Sequence, residues 1–292
     1  MSSITAKPKI LFVINKGSGN NSTDFEELIA VYFEDKHEFS YTTLLLDNEI
    51  DCDNLRAKII AEKPNKVVAV GGDGTIKLLA EVLMGTGMPL GILPAGSANG
   101  MAKDLNIPTD YEPALDLICS KDGTLIHLIE INGQLCIHLS DIGFNAYVVK
   151  VFDSMKKRGM WSYIKAAWRV LWKHAKMKAT FEINNKTVER EAVMIVLANG
   201  LSYGTGVTIN PEGKLDDDVF EIIIVRKISV MELLKMRFSK LPFNPEKTEL
   251  FRTKSISIKS KKKVHFQIDG EYLGKTNAVT AKILPKAVRI IY

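Results

Sequence analysis

Short apolar runs and stretches of helical spacing alternate along roughly the first 121 residues. The pattern predicts strands over 9–14, 38–46, 66–70 and 89–93. It predicts helices over 23–34, 53–62, 75–84, 98–104 and 111–120. Continuous apolar strands such as Val67-Val68-Ala69-Val70, each followed by a helix, imply a parallel sheet covered by helices. From about residue 124 the pattern changes. Short runs over 125–131, 135–140, 179–183, 192–198, 219–225, 255–260, 264–268 and 278–284 are separated by turn residues such as Asn132-Gly133 and Asn184-Asn185. That succession predicts an antiparallel sandwich or barrel. Two helical stretches, Met160 to Lys176 and Val230 to Lys240, interrupt it.

The candidate chemistry lies where the first strands end. Val67 to Val70 runs into Gly71-Gly72-Asp73-Gly74-Thr75, and Leu90 to Leu93 runs into Pro94-Ala95-Gly96-Ser97-Ala98-Asn99-Gly100. The opening strand runs into Asn15-Lys16-Gly17-Ser18-Gly19-Asn20. Glycines let backbone approach a ligand closely, and the N–H groups of such turns favour an anion. Adjacent strand–turn–helix units place their turns at the carboxyl edge of one sheet, where open α/β folds bind ligands. The three turns read as one nucleotide site. An Asp among phosphate-binding amides makes sense beside a divalent cation or beside the group to be phosphorylated. Asp-Gly pairs are also common in plain turns.

These segments resemble the diacylglycerol kinase catalytic domain family, which includes bacterial soluble lipid kinases and sphingosine kinases. The resemblance rests on Asn15 to Gly19, Gly71 to Thr75 and Leu93 to Asn99. It continues through Asp141 to Ala146, Asn199-Gly200, Tyr203 to Gly206, Pro211 to Asp218 and Ile268 to Glu271. It implies an α/β N-terminal domain of NAD kinase/diacylglycerol kinase type, over residues 1–123 with a returning segment 284–292. An all-β antiparallel sandwich over 124–283 would complete the chain. It further implies an ATP-dependent lipid kinase that uses Mg2+ and acts on a lipid hydroxyl at a membrane surface. Two rival readings stay open: a small-molecule kinase of NAD kinase type, and a non-catalytic nucleotide- or lipid-binding protein.

On this resemblance Asn15, Ser18, Gly19, Gly71, Gly72, Asp73, Gly74, Thr75, Gly96, Ser97 and Asn99 would line the nucleotide. Either Thr42 or Thr43 matches a family threonine, with Thr43 preferred. Asp73 would hold Mg2+ or orient the acceptor hydroxyl, and Glu271 is the candidate general base, with Asp73 its competitor. Asp217 would bind a structural cation with the carbonyls of Lys214 and Val219, although Asp216-Asp217-Asp218 also reads as an exposed acidic turn. The chain departs from the family at Gly100, where an Asp is usual, and at Glu130, where a shorter carboxylate is usual.

The remaining composition narrows the class. Three widely spaced cysteines among 292 residues argue against a disulfide framework and for a reducing, cytoplasmic setting. No secretory leader and no membrane span are expected. The net charge of +5 needs only a solvated surface and no nucleic acid. No Walker-type P-loop or zinc spacing is present. The sequence leaves open whether the chain pairs as a homodimer. Lys259 to Lys263 reads as a solvated hairpin, with an anionic-lipid contact as the other reading. Trp161, Ile164, Trp168, Leu171, Trp172 and Ala175 share one helical face, opposite Lys165, Arg169, Lys173 and Lys176. That stripe suits either a core or a membrane interface.

Overall fold

All six residues of the strand Lys66–Gly71 are buried, because its valines and alanine meet helices on both sides. The computed structural model describes residues 7–18, 23–46, 51–155, 160–171, 176–183, 186–203, 207–228 and 244–292. The chain divides into two units, one formed by 1–126 with 286–292 and the other by 127–285. In the first unit the elements run β1 (Lys9–Ile14), α1 (Phe25–Phe33), β2 (Ser40–Leu45), α2 (Cys52–Glu62), β3 (Lys66–Gly71), α3 (Asp73–Leu83), β4 (Pro89–Pro94), α4 (Gly100–Asp104) and α5 (Tyr111–Ser120). The strands are parallel in the order β4-β3-β1-β2. At the end of the chain, Arg289 and Ile290 add alongside Pro89 and Leu90 of β4.

Ile29 and Phe33 of α1 and Ala114, Leu115 and Ile118 of α5 pack on Ile10, Phe12, Val68, Val70 and Leu93. Alternation along the strands turns Leu11, Val13, Val67 and Ala69 to the opposite face. Asp24 and Asp51 cap α1 and α2 by accepting from first-turn amides. Lys66 is almost wholly buried, and its ammonium donates to the carbonyls of Ile118, Cys119 and Lys121 at 2.9, 3.2 and 2.7 Å. It thereby satisfies the open C-terminal end of α5.

The second unit takes in most of β5 (Thr124–Ile131) and continues with β6 (Gln134–Cys136), β7 (Leu139–Gly143), α6 (Phe144–Asp153), α7 (Met160–Leu171), β8 (Met177–Ile183), β9 (Lys186–Ala192) and β10 (Met194–Ala198). Then follow β11 (Ser202–Tyr203), β12 (Val207–Thr208), β13 (Phe220–Val225), β14 (Thr248–Thr253), β15 (Ser255–Ile268) and β16 (Glu271–Ile290). The antiparallel order is β14-β13-β10-β7-β15-β16, and the β8–β9 hairpin pairs along β15. One face of β10 and β13 joins an all-β core with Ile195, Leu197, Ile222 and Ile224. The other face, with Val196, Ala198, Ile223 and Val225, packs on α6 and α7.

Two sequence expectations need correction here, and one element had no expectation. Residues 255–260 and 264–268 form the single strand β15, so Lys259 to Lys263 lies inside a strand, at a register shift. The residues stay exposed, and the bulge breaks the apolar alternation that made the two runs look separate. Secondly, α7 buries Ala166 and Val170, while Trp168 is 65% exposed. Small side chains let the helix approach the sheet closely, which a tryptophan at the seam would prevent. Thirdly, α6 went unread because Val148, Val149, Val151 and Phe152 favour neither period clearly. Residues 172–175, 184–185 and 230–240, and the side chains of Trp161, Ile164 and Leu171, lie outside the described part of the structure.

Candidate functional site

In the first unit the three turns are laced together by backbone and side chains. The Asn15 amide donates to the carbonyl of Val70 and that of Ala95 to the carbonyl of Gly71, at 3.0 and 2.9 Å. Asn15 also donates from Nδ2 to Thr75 Oγ1 at 3.0 Å, and its Oδ1 accepts from the Gly17 amide. Asn99 takes a left-handed conformation (φ 49°), and its Oδ1 accepts from the Gly96 amide at 2.9 Å. Asp73 spans the gap between turns. One carboxylate oxygen accepts from the Gly100 amide at 2.9 Å and the other from Met101 at 3.0 Å.

Glycine is required at 71 and 96. A Cβ on Gly96 would lie 2.5 Å from Gly72 Cα, and one on Gly71 would lie 2.3 Å from Thr75 Oγ1. The turns therefore touch backbone to backbone. At the mouth of this arrangement α3 starts at Gly72 with no side-chain cap. Thr75 and Ile76 donate their amides to the Gly72 carbonyl at 3.0 and 3.1 Å, so the amides of Asp73 and Gly74, at the positive end of the helix dipole, are the ones left to meet a phosphate.

Ser97 is exposed on its turn, and Ser18 closes the first turn by donating its amide to the Asn15 carbonyl. Thr43 Oγ1 lies 3.5 Å from Glu26 Oε1, and Glu26 pairs with Lys16 of the first turn at 3.3 Å. Thr42 instead reaches Glu62, the partner of Lys9, so the two threonines serve different neighbourhoods. Gly19 lies outside the described residues.

In the second unit Glu271 follows a tight turn. Asp269 and Gly270 both have positive φ, 51° and 86°, as a two-residue hairpin turn of this hand needs. Asp269 accepts from the amides of His138 and Ile137 at 2.9 and 3.2 Å. Gln267 Oε1 accepts from the Gly270 amide at 2.7 Å, and its Nε2 donates to buried Asp141 at 2.6 Å. Asn145 Nδ2 donates to the same Asp141 oxygen. Asp141, Asn145 and Gln267 thus hold the turn from below. Asp141 and Asn145 carry no assigned role in the sequence; the available signal was an Asp inside an otherwise apolar strand.

The acidic run has a similar hidden floor. Asp217 is exposed and its Oδ1 accepts weakly from the Val219 amide at 3.4 Å, while Asp218 sits at φ 55°. Behind it His127 is 1% exposed with neither ring nitrogen partnered, and Asn199 Oδ1 and Asn210 Oδ1 are likewise orphaned. Burial pushes the His127 imidazole below its ordinary pKa, against the opposing field of Asp217, Asp218 and Asp216. Burial also pushes Glu221 upward, offset by hydrogen bonds from Asn210 and Arg252. Among the described residues no three His, Cys, Asp or Glu side chains converge on a metal position. A cation here would rest on Asp217 with main-chain oxygens. Hard oxygen donors on a turn beside orphaned buried acceptors fit Mg2+ or Ca2+.

Comparison with known proteins agrees with this arrangement. Residues 9–131 match the diacylglycerol kinase catalytic domain, and residues 140–292 match the YegS C-terminal NAD kinase beta sandwich-like domain. The chain belongs to the diacylglycerol kinase family of lipid kinases. A diacylglycerol kinase of Staphylococcus saprophyticus is 28% identical over 75% of this chain and 74% of its own length. An uncharacterized Synechocystis protein is 30% identical over 77% of this chain, which spans only 54% of that relative. A crystal structure of a diacylglycerol kinase from Bacillus anthracis shares the fold, with a TM-score of 0.74 at 18% identity over 99% of this chain and 98% of that one.

Proposed function

We propose that the chain is an ATP-dependent kinase that transfers the γ-phosphoryl group of ATP to a lipid hydroxyl. The observation that carries this reading is the uncapped start of α3 beneath two glycine turns in backbone contact, braced by Asp73. Asn15, Ser18, Gly19, Thr43, Gly71, Gly72, Gly74, Thr75, Gly96, Ser97 and Asn99 would form the nucleotide site. Preorganised amides at the phosphates cost no reorganisation when charge develops.

Glu271 would take the proton of the acceptor hydroxyl as its oxygen bonds to the γ-phosphorus. The bond from that phosphorus to the β–γ bridging oxygen breaks, and ADP leaves. Glu271 makes no hydrogen bond or ion pair in the described structure, which suits a group free to accept a proton. Mg2+ bound with ATP would neutralise phosphate charge, and Asp73 is the carboxylate of this turn able to face it. A separate structural cation would sit on Asp217 and the carbonyls of Lys214 and Val219.

None of the described helices is long and apolar enough to cross a membrane. A lipid acceptor would be met at the membrane surface, and exposed Trp168 beside Lys165 and Arg169 supports a peripheral, cytoplasmic-face contact. The test is phosphate transfer from labelled ATP across lipid alcohols in mixed micelles, with NAD+ and an acceptor-free reaction alongside. Label in a lipid product supports the proposal. Label in NAD+ alone, or ATP binding without transfer to any acceptor, overturns it.

A further inference from the structure

A second cluster of chemistry-bearing side chains lies on α6 and the β15–β16 hairpin. Tyr147 and Lys150 stand three residues apart on α6 and so share a helical face. His265 of β15 lies directly across from Lys275 of β16. The Tyr147 ring stacks on the His265 imidazole, with centroids 4.3 Å apart and planes within 1°. Tyr272 places its hydroxyl 2.8 Å from His265 Nδ1, and Lys150 Nζ lies 5.5 Å from the Tyr272 ring centroid. The imidazole is therefore fixed in orientation by a ring on one side and a phenol at one nitrogen.

The electrostatics of the cluster are one-sided. Burial, then Lys275, then Lys150 push His265 down to about 4, and no carboxylate offsets them. Among the described residues neither Lys150 nor Lys275 makes an ion pair. At neutral pH the imidazole is uncharged and carries one proton. In the tautomer where the Tyr272 hydroxyl donates to Nδ1, that proton sits on Nε2 as a donor. Two ammonium groups with no counter-charge among the described residues, beside an imidazole that offers an N–H in that tautomer, form an anion receptor.

We propose that Lys150, Lys275 and His265 of the second unit bind a phosphate group, as a monoester or diester. The phosphate would come either from an anionic lipid headgroup or from a free phosphate ester. The proposal stands whether or not the chain phosphorylates lipid.

The test uses the full chain with isotope-labelled histidine. The His265 ring resonances are followed by NMR as inorganic phosphate and then glycerol 3-phosphate are added. Cosedimentation with phosphatidylglycerol vesicles, against phosphatidylcholine vesicles, is run in parallel. The expected result is a saturable His265 shift with phosphate. The Lys150→Gln/Lys275→Gln double variant should weaken it at least tenfold, and the paired Arg variant should retain it. Thermal unfolding of each variant checks that the fold is intact. If the phosphate comes from lipid, phosphatidylglycerol vesicles bind wild type more tightly than the Gln variant and compete with phosphate. If it comes from a free ester, the NMR shift appears and both proteins bind vesicles equally. An unmoved His265 with equal vesicle binding overturns the proposal, as does a folded Gln variant that binds phosphate like wild type.

Discussion

The turns of the first unit and the acidic turn of the second both present an Asp, yet their surroundings differ. Asp73 has both oxygens occupied by backbone amides of the neighbouring turn, and the glycines beside it are in contact. Asp217 has one contact at 3.4 Å and stands over buried atoms of His127, Asn199 and Asn210 that lack partners. One site is built before its ligand arrives. The other lies over buried polar atoms whose hydrogen-bonding capacity is not fully met.

The largest expected effects test the built site and its proposed base. Asp73→Asn replaces two acceptor oxygens by one, and should lower phosphoryl transfer by about 10²–10⁴-fold while also weakening ATP binding. Glu271→Gln should lower turnover over the same rough range with ATP affinity and melting temperature unchanged, because the side chain makes no hydrogen bond or ion pair among the described residues. Steady-state kinetics with ATP titrations on both variants separate the two roles. Equal loss of ATP affinity in both would erase the distinction between nucleotide and acceptor groups.

Gly96→Ala comes next. Its Cβ would be forced to within 2.5 Å of Gly72 Cα, so the turns must part. We expect a stability loss of roughly 1–3 kcal/mol by denaturant titration and ATP binding weakened about tenfold or more, the binding counterpart of 1.4 kcal/mol. Retention of both would show that the contact between turns is dispensable.

Asp217→Ala should act through metal. Added Mg2+ or Ca2+ should raise the melting temperature of wild type and leave the variant unmoved, since a ligand stabilises only the state that binds it. Equal responses would make the acidic run a simple turn.

The smallest effect concerns Glu249, which pairs with Arg190 at 2.9 Å and with Arg226. Hydrogen bonds from Arg190 and then Arg226 hold its carboxyl below the ordinary value, against partial desolvation. A depressed folded-state value means the contribution is present above the unfolded carboxylate range and disappears as pH falls through the folded value. Glu249→Gln should therefore cost roughly 0.5–1 kcal/mol at pH 7, as for a partly exposed pair. Urea titrations should show the two proteins converging in acid. A pH-independent difference would assign the effect to packing.

The same contrast explains what could be read from the chain. The parallel sheet and its turns were legible because Gly71, Gly72 and Gly96 answer to local backbone needs, and their strands carry unbroken apolar runs. β3 and α5 lie within a residue of expectation. The supports under Glu271 were not legible. Asn145 reaches Asp141 across four residues, but Gln267 joins them from 126 residues away, which no local pattern encodes. Lys66 looked like an ordinary strand-opening lysine until three carbonyls of the α5 terminus surrounded it. The core reading of Trp168 failed for a further reason: helical spacing shows which residues share a face, whereas the sheet selects the face with room for close approach.

The most direct measurement is amide hydrogen exchange with Mg2+ present throughout and ATP added. The account predicts new protection in residues 71–76 and 96–101 and in the 15–18 turn, with residues 210–219 unchanged. Protection confined to 210–219, or none in the glycine turns at saturating ATP, would contradict it.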